Sequence, residues 1–214
     1  PQDGRFATAV DGRAIDLRVS TLPIFWGEKV VLRLLDRSNT LVSLSQLGFS
    51  PETLRDYERL IRSPQGMLLV TGPTGSGKTT TLYAILQSIN KPDINIITIE
   101  DPVEYQMKGI SQIQVNARSD LTFARGLRSI VRQDPDVILI GEIRDVDTMR
   151  TALQAAETGH LVLATLHART VIDAVNRVID IFPLGEQRQA RASIAESLQG
   201  VLCQHLVLSA RTPG

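Results

Sequence analysis

A single cysteine, Cys203, stands in the 214 residues, so there is no intrachain disulfide framework, and the composition fits a reducing compartment. Net charge is missing as well. Lys and Arg total 23 against 23 Asp and Glu, which provides no electrostatic footprint for a nucleic-acid backbone, and no nucleic-acid partner is expected. Local basic clusters would matter only once subunits assemble. No apolar run approaches the roughly 18–20 residues that span a bilayer. The opening Pro1-Gln2-Asp3-Gly4 lacks a basic region followed by an apolar core, so it is no signal peptide. Any membrane role must act through a partner or through sequence beyond this stretch. The chain opens on Pro1 rather than Met, and a fragment of a longer protein is expected. Its length allows one good core with a smaller appendage.

Two regions with different patterns follow. Residues 5–10, 14–20 and 29–35 look like short strands, punctuated by Asp3-Gly4, Asp11-Gly12 and Trp26-Gly27. In Ile15-Asp16-Leu17-Arg18-Val19 apolar residues alternate with charges, which predicts a sheet with one covered face. Three small strands without a long helix are too little to stand alone, so residues 1–37 are expected to be the end of a small β-rich N-terminal domain. A linker over 38–46 and a second domain over 47–214 complete the expected organisation.

From residue 47 the pattern is α/β. Ser50-Pro51-Glu52 opens a helix, and apolar strands at 67–71, 95–99, 137–140 and 160–166 alternate with helices at 78–89, 121–131, 146–157, 171–179 and 186–201. Alternation of this kind predicts a largely parallel sheet covered by helices, with ligands at the carboxyl ends of its strands.

The strongest chemical signal lies after the first of those strands. Gly72, Pro73, Thr74, Gly75, Ser76, Gly77, Lys78 and Thr79 match G-x-x-x-x-G-K-[ST] at every position, between a strand-like and a helix-like run, and Thr80 continues the helix start. Successive backbone N–H groups and a helix N-terminus cradle anionic oxygens. Lys78 would reach the β- and γ-phosphates of ATP, and the Thr79 hydroxyl would ligate Mg²⁺.

Carboxylates end two other strands. Val137-Ile-Leu-Ile140-Gly141-Glu142 places Glu142 where a carboxylate holds Mg²⁺ through water or polarises the attacking water. Ile97-Thr-Ile-Glu100-Asp101-Pro102-Val-Glu104 reads either as a solvated Asp-Pro loop or as a catalytic segment. In the second reading Glu100 activates the attacking water, while Asp101 and Glu104 organise metal, water or the neighbouring strand. His167 ends the last strand and would hydrogen-bond the γ-phosphate or a catalytic carboxylate. His160 is expected to be a polar cap at that strand's start.

The arginines divide into two groups. Arg125, Arg128 and Arg132 share one side of a helix, as a solvated or ion-paired stripe or as an intersubunit surface. Arg18 and Arg33 interrupt strands of the N-terminal piece, where an arginine delivered over the nucleotide would stabilise charge on the transferring phosphoryl group.

Taken together, these segments resemble the secretion and pilus ATPases, the hexameric motors of bacterial type II secretion and type IV pili. Gly-Pro-Thr-Gly-Ser-Gly-Lys-Thr-Thr-Thr-Leu-Tyr (72–83) resembles their Walker A segment and Ile-Thr-Ile-Glu-Asp-Pro-Val-Glu-Tyr (97–105) their aspartate box. Residues 132–145 resemble the Walker B region and 158–167 the histidine box. Residues 2–5, 15–23 and 27–36 are similar to the second half of the N-terminal domain in assembly and secretion members.

The resemblance implies a RecA-like P-loop NTPase core that binds ATP and Mg²⁺, with Glu100 as catalytic glutamate and His167 as sensing histidine. It places Arg18 and Arg33, and less directly Arg5, among the arginines that reach the nucleotide. It also implies a homo-oligomer, hexameric in the complete protein. Such a ring would be cytoplasmic, peripheral at the inner membrane, and would act on a platform protein there.

Departures point elsewhere. Assembly and secretion members carry a four-cysteine zinc insertion that this chain lacks, and residues 155–160 and 182–187 lean towards retraction motors. A retraction or conjugation-type motor, or a truncated nucleotide-binding protein without efficient turnover, therefore remain as alternatives.

Overall fold

The computed structural model describes residues 2–10, 13–36 and 42–207. The expected turn at 11–12 and residues 38–41 of the expected linker lie outside them. The chain separates into two compact units, Pro1–Leu41 and Val42–Gly214.

In the first unit, β1 (Gln2–Val10), β2 (Arg13–Ile24) and β3 (Gly27–Asp36) form an antiparallel sheet in that order. The β2–β3 hairpin turns at Phe25 and Trp26, with Gly27 at φ 129°, a conformation that favours glycine. Pro23 pairs with Glu28 on β3 but lies past the end of β1, so its missing N–H breaks no ladder on that side. Ile15, Leu17 and Val19, the apolar positions of the alternating stretch, are half-buried, while Val31, Leu32 and Leu34 on β3 are more than half exposed. Three strands supply no second layer, and an apolar sheet face needs one.

The second unit runs α1 (Pro51–Leu60), β4 (Gly66–Thr71), α2 (Lys78–Ile89), β5 (Ile96–Glu100), β6 (Ser111–Gln114), α3 (Phe123–Ile130), β7 (Val137–Ile140), α4 (Val146–Glu157), β8 (Leu161–Leu166), α5 (Val171–Asp180), α6 (Gln187–Ser197) and β9 (Leu198–Cys203). Its six strands are parallel, in the order β6-β5-β7-β8-β4-β9. This is the expected α/β class with a largely parallel sheet. β4, β5, β7 and β8 are buried along their whole length, as strands covered on both faces must be. Helix starts follow side-chain capping: Ser50, Thr122, Asp145 and Thr170 each accept a backbone N–H three residues on. Among the described residues no helix is long and apolar enough to cross a membrane.

Two expectations are corrected. The helix over 186–201 stops at Ser197, and residues 198–203 form strand β9 against β4. An edge strand of the sheet needs a backbone partner, and Gly200 lets the chain approach closely, since a Cβ there would sit 3.0 Å from Leu60 Cδ1. Strand β6 was not expected at all, because Ser111-Gln-Ile-Gln114 is short and mostly polar.

Candidate functional site

The phosphate-binding loop joins β4 to α2 as its spacing predicts. Gly75 and Gly77 adopt φ 81° and 90°, the second at the N-cap of α2, where only glycine is free of strain. Gly72 has φ 148°, and a Cβ there would meet the Gln204 carbonyl oxygen at 2.3 Å. That carbonyl is fixed, because Gln204 N–H donates to Thr71 O at 2.8 Å and its side-chain amide donates to Thr81 Oγ1 at 2.8 Å. The end of β9 thus closes one side of the loop. Gly72→Ala is accordingly expected to cost about 1–3 kcal/mol of backbone strain, measured as a lower midpoint in urea unfolding. An unchanged midpoint would show that the loop accommodates a side chain.

The loop's own atoms suit an anion. Ser76 Oγ is buried without a hydrogen-bond partner among the described residues. Lys78 Nζ folds back to donate to the carbonyls of Gly72 and Pro73 at 2.8 and 2.9 Å. Burial lowers the pKa of the Lys78 ammonium, and the Glu142 charge opposes that shift. The cation is therefore short of a partner carrying formal charge, which phosphate oxygens would supply.

One cavity at the carboxyl ends of the strands is lined by Lys78, Thr79, Glu100, Glu142 and His167. The parallel sheet gathers them: Glu100 ends β5, Glu142 follows β7 by two residues, His167 follows β8, and Lys78 opens α2. At Gly141 the backbones of β5 and β7 come close, with a virtual Cβ 3.2 Å from Glu100 Cα, so the two carboxylates start from adjacent strands.

The carboxylates have different surroundings. Glu142 has a partner at each oxygen: Arg144 Nη2 lies 2.5 Å from Oε2, and His167 Nε2 lies 3.0 Å from Oε1. The Glu142 carboxylate in turn holds the Arg144 guanidinium further into its charged form. Glu100 is buried and meets only neutral donors among the described residues. Tyr83 O–H donates to Oε2, while Thr98 Oγ1 donates to Oε1 at 2.6 Å and Gln112 Nε2 at 3.2 Å. The solvated-loop reading of the Glu100 segment therefore does not describe Glu100 itself.

Other expected residues fall elsewhere. His160 precedes β8, and its ring Nδ1 meets the Ala155 carbonyl in the last turn of α4 at 2.9 Å, so it closes the end of that helix rather than the start of the strand. Arg125 and Arg128 are ion-paired with Asp120 and Asp147, and Arg132 lies past the end of α3, donating to Ser129 Oγ. In the first unit, the register pairs the backbone of Arg5 with that of Arg18 and sets Arg18 opposite Arg33, which places Arg18 and Arg33 on one face.

Tyr83, Thr98, Gln112 and Arg144 are site residues that the sequence reading did not single out. Tyr83 follows Thr79 by four residues on α2 and Thr98 precedes Glu100 by two on β5, so helix and strand periods alone place both beside known positions. Gln112 is brought in only by the pairing of Thr98 with Gln112 across β5 and β6, which no local pattern announces.

Comparison with known proteins gives concordant results. The sequence model of the family described as Type II/IV secretion system protein matches residues 1–212. The type II secretion system protein HxcR of Pseudomonas aeruginosa is 56% identical over 207 residues, 97% of this chain and 43% of that protein. The type II secretion system protein E of Aeromonas hydrophila is 53% identical over 205 residues, 95% of this chain and 41% of that one. Among solved structures, the pilus retraction motor PilT with bound ADP superposes with a TM-score of 0.82 at 40% identity, covering 96% of this chain and 59% of that one. The chain therefore spans 41–43% of the length of these two curated relatives.

Proposed function

The chain belongs to the Type II/IV secretion system protein family, and from that premise we propose that it is the ATP-hydrolysing portion of a ring-forming motor that drives type II secretion or type IV pilus assembly. One observation carries this reading: Lys78, Thr79, Glu100, Glu142 and His167 line a single cavity at the carboxyl ends of a parallel sheet.

In this reading Lys78 leaves the carbonyls of Gly72 and Pro73 for the β- and γ-phosphate oxygens of ATP, and the backbone N–H groups at the start of α2 hold the same oxygens. Glu100 accepts a proton from a water that attacks the γ-phosphorus. The bond from that phosphorus to the bridging oxygen breaks, and ADP and inorganic phosphate leave. Thr79 and Glu142 offer the hydroxyl and carboxylate oxygens that suit Mg²⁺, which when bound neutralises charge on the β- and γ-oxygens. His167 and Arg144 orient Glu142 from either oxygen.

Arg18 and Arg33, with Arg5 by register, would complete the charge stabilisation once the ring forms. Like charges set directly opposite one another on a sheet are mutually unfavourable. The complete ring would sit at the cytoplasmic face of the bacterial inner membrane and act on a platform protein there. Identities of 53% and 56% to type II secretion proteins, against 40% to the retraction motor, favour the secretion output over retraction.

The test is ATP hydrolysis per subunit across a wide range of protein concentration, with Mg²⁺ and with EDTA. Specific activity is expected to rise with concentration, as it must when a residue reaches the site from a neighbour. Arg18→Ala should lower the plateau by about 10³-fold, the low end for a transferred arginine. Activity that is independent of concentration and of Arg18 would reduce the reading to a monomeric nucleotidase. Tight ATP binding with no turnover would favour the truncated nucleotide-binding alternative.

A further inference from the structure

We propose that Tyr83 and Gln112 are positioning residues for Glu100, tying its carboxylate at once to the helix behind the phosphate-binding loop and to the loop that follows β5. This inference rests on the ATPase reading above and concerns how the proposed general base is held.

The network is buried and its polarity is settled by chemistry. The Tyr83 hydroxyl donates to Glu100 Oε2 and accepts the Glu104 N–H at 3.3 Å. Its ring is buried, 1% exposed, and packs edge-on against Tyr105 with centroids 4.5 Å apart. Burial, followed by the charge of Glu100, pushes the Tyr83 phenol far above its ordinary range, which keeps it a donor. The Gln112 amide has one orientation that satisfies its neighbours. Its oxygen accepts from Met107 N–H at 2.7 Å, while its nitrogen donates to Glu100 Oε1 at 3.2 Å and to the Tyr105 carbonyl at 3.2 Å. Thr98 supplies the remaining donor to Oε1.

Geometry then gives the network a role beyond packing. Thr79 and Tyr83 lie four apart on α2 and share a helix face. The helix that starts at the phosphate-binding loop therefore reaches Glu100 directly through a phenol. On the opposite side, Gln112 fixes the carboxylate to residues 105–107. A general base must stand within hydrogen-bond reach of the proton it removes, and small errors in that placement are costly in rate. With both oxygens already engaged, Glu100 cannot rotate towards a water without one of these partners following it.

The experiment uses the 214-residue chain and compares steady-state ATP hydrolysis and ATP affinity in wild type, Tyr83→Phe, Gln112→Met, Glu100→Gln and the Tyr83→Phe/Glu100→Gln pair. Tyr83→Phe keeps the ring and its contact with Tyr105, and Gln112→Met removes the second tether, together with the long 3.5 Å contact from Gln112 Nε2 to the Tyr83 hydroxyl, while keeping the tyrosine itself. Each single variant at 83 or 112 is expected to lower kcat by about 10- to 100-fold, with KM and ATP affinity within about twofold of wild type. Adding Tyr83→Phe to Glu100→Gln should cause no further loss, because the tyrosine acts only through the carboxylate. Unchanged kcat in both variants, a loss that appears in KM, or a full additional loss in the pair would overturn the inference. If Glu100→Gln itself turns over normally, or wild type does not turn over at all, it is the ATPase reading that fails, and this inference falls with it.

Discussion

Glu100→Gln is expected to lower the rate of ATP hydrolysis by about 10²- to 10⁴-fold, the range supplied by a positioned general base, while leaving ATP affinity nearly unchanged. Much of the pocket suits an amide. Its oxygen takes the donors from Thr98 and Gln112, and its nitrogen faces the Tyr83 hydroxyl, whose proton loses its acceptor at a cost of about 1–3 kcal/mol of stability. What is lost is the ability to accept a proton from water. A cooperatively folded variant with ATP affinity near wild type, together with a kcat loss of this size, would place Glu100 in the chemical step. A loss confined to KM would place it in binding instead.

Lys78→Ala is expected to act on the other half of the cycle, weakening ATP binding by about 100-fold through loss of charge-assisted hydrogen bonds to phosphate. Its ammonium is held by the two carbonyls of Gly72 and Pro73 and lies under a partial burial penalty. Phosphate oxygens would replace neutral acceptors with anionic ones, so the lysine contributes more to the bound state than to the free one. Removing it should therefore leave stability little altered and cost affinity. Equilibrium binding of a fluorescent ATP analogue reads this directly, and an affinity within threefold of wild type would show that the backbone N–H groups alone hold the phosphates.

The two substitutions separate what the local sequence makes visible from what it does not. Lys78 and its loop were legible in full, because a phosphate cradle needs glycines at fixed positions, and the positive φ values at Gly72, Gly75 and Gly77 fall where the spacing placed them. The core strands were legible too, since Val137–Ile140 and Leu161–Leu166 are continuous apolar runs bounded by polar residues. Glu100 was legible as a carboxylate at a strand end, but its surroundings were not. Gln112 reaches it across a strand pairing that joins residues fourteen apart in sequence, and β6 itself has no apolar run to announce it.

The misreading of residues 198–203 has a similar origin. Leu198–Cys203 carries helix-compatible apolar residues, and only the open edge of β4, with its unpaired backbone groups, makes the extended form preferable. The uncovered N-terminal sheet is the converse case. Its alternating pattern signals a partner layer that three strands do not supply by themselves, so the pattern states what the sheet needs without naming what covers it.

The most direct test of the account is to measure, on one preparation of Glu100→Gln beside wild type, both MgATP affinity and phosphate release at saturating ATP. The account predicts equal affinity in the two proteins and phosphate release that falls by at least about 100-fold in the variant. Equal phosphate release from both proteins would contradict it, and would move the chemistry away from Glu100 to another group in the cavity.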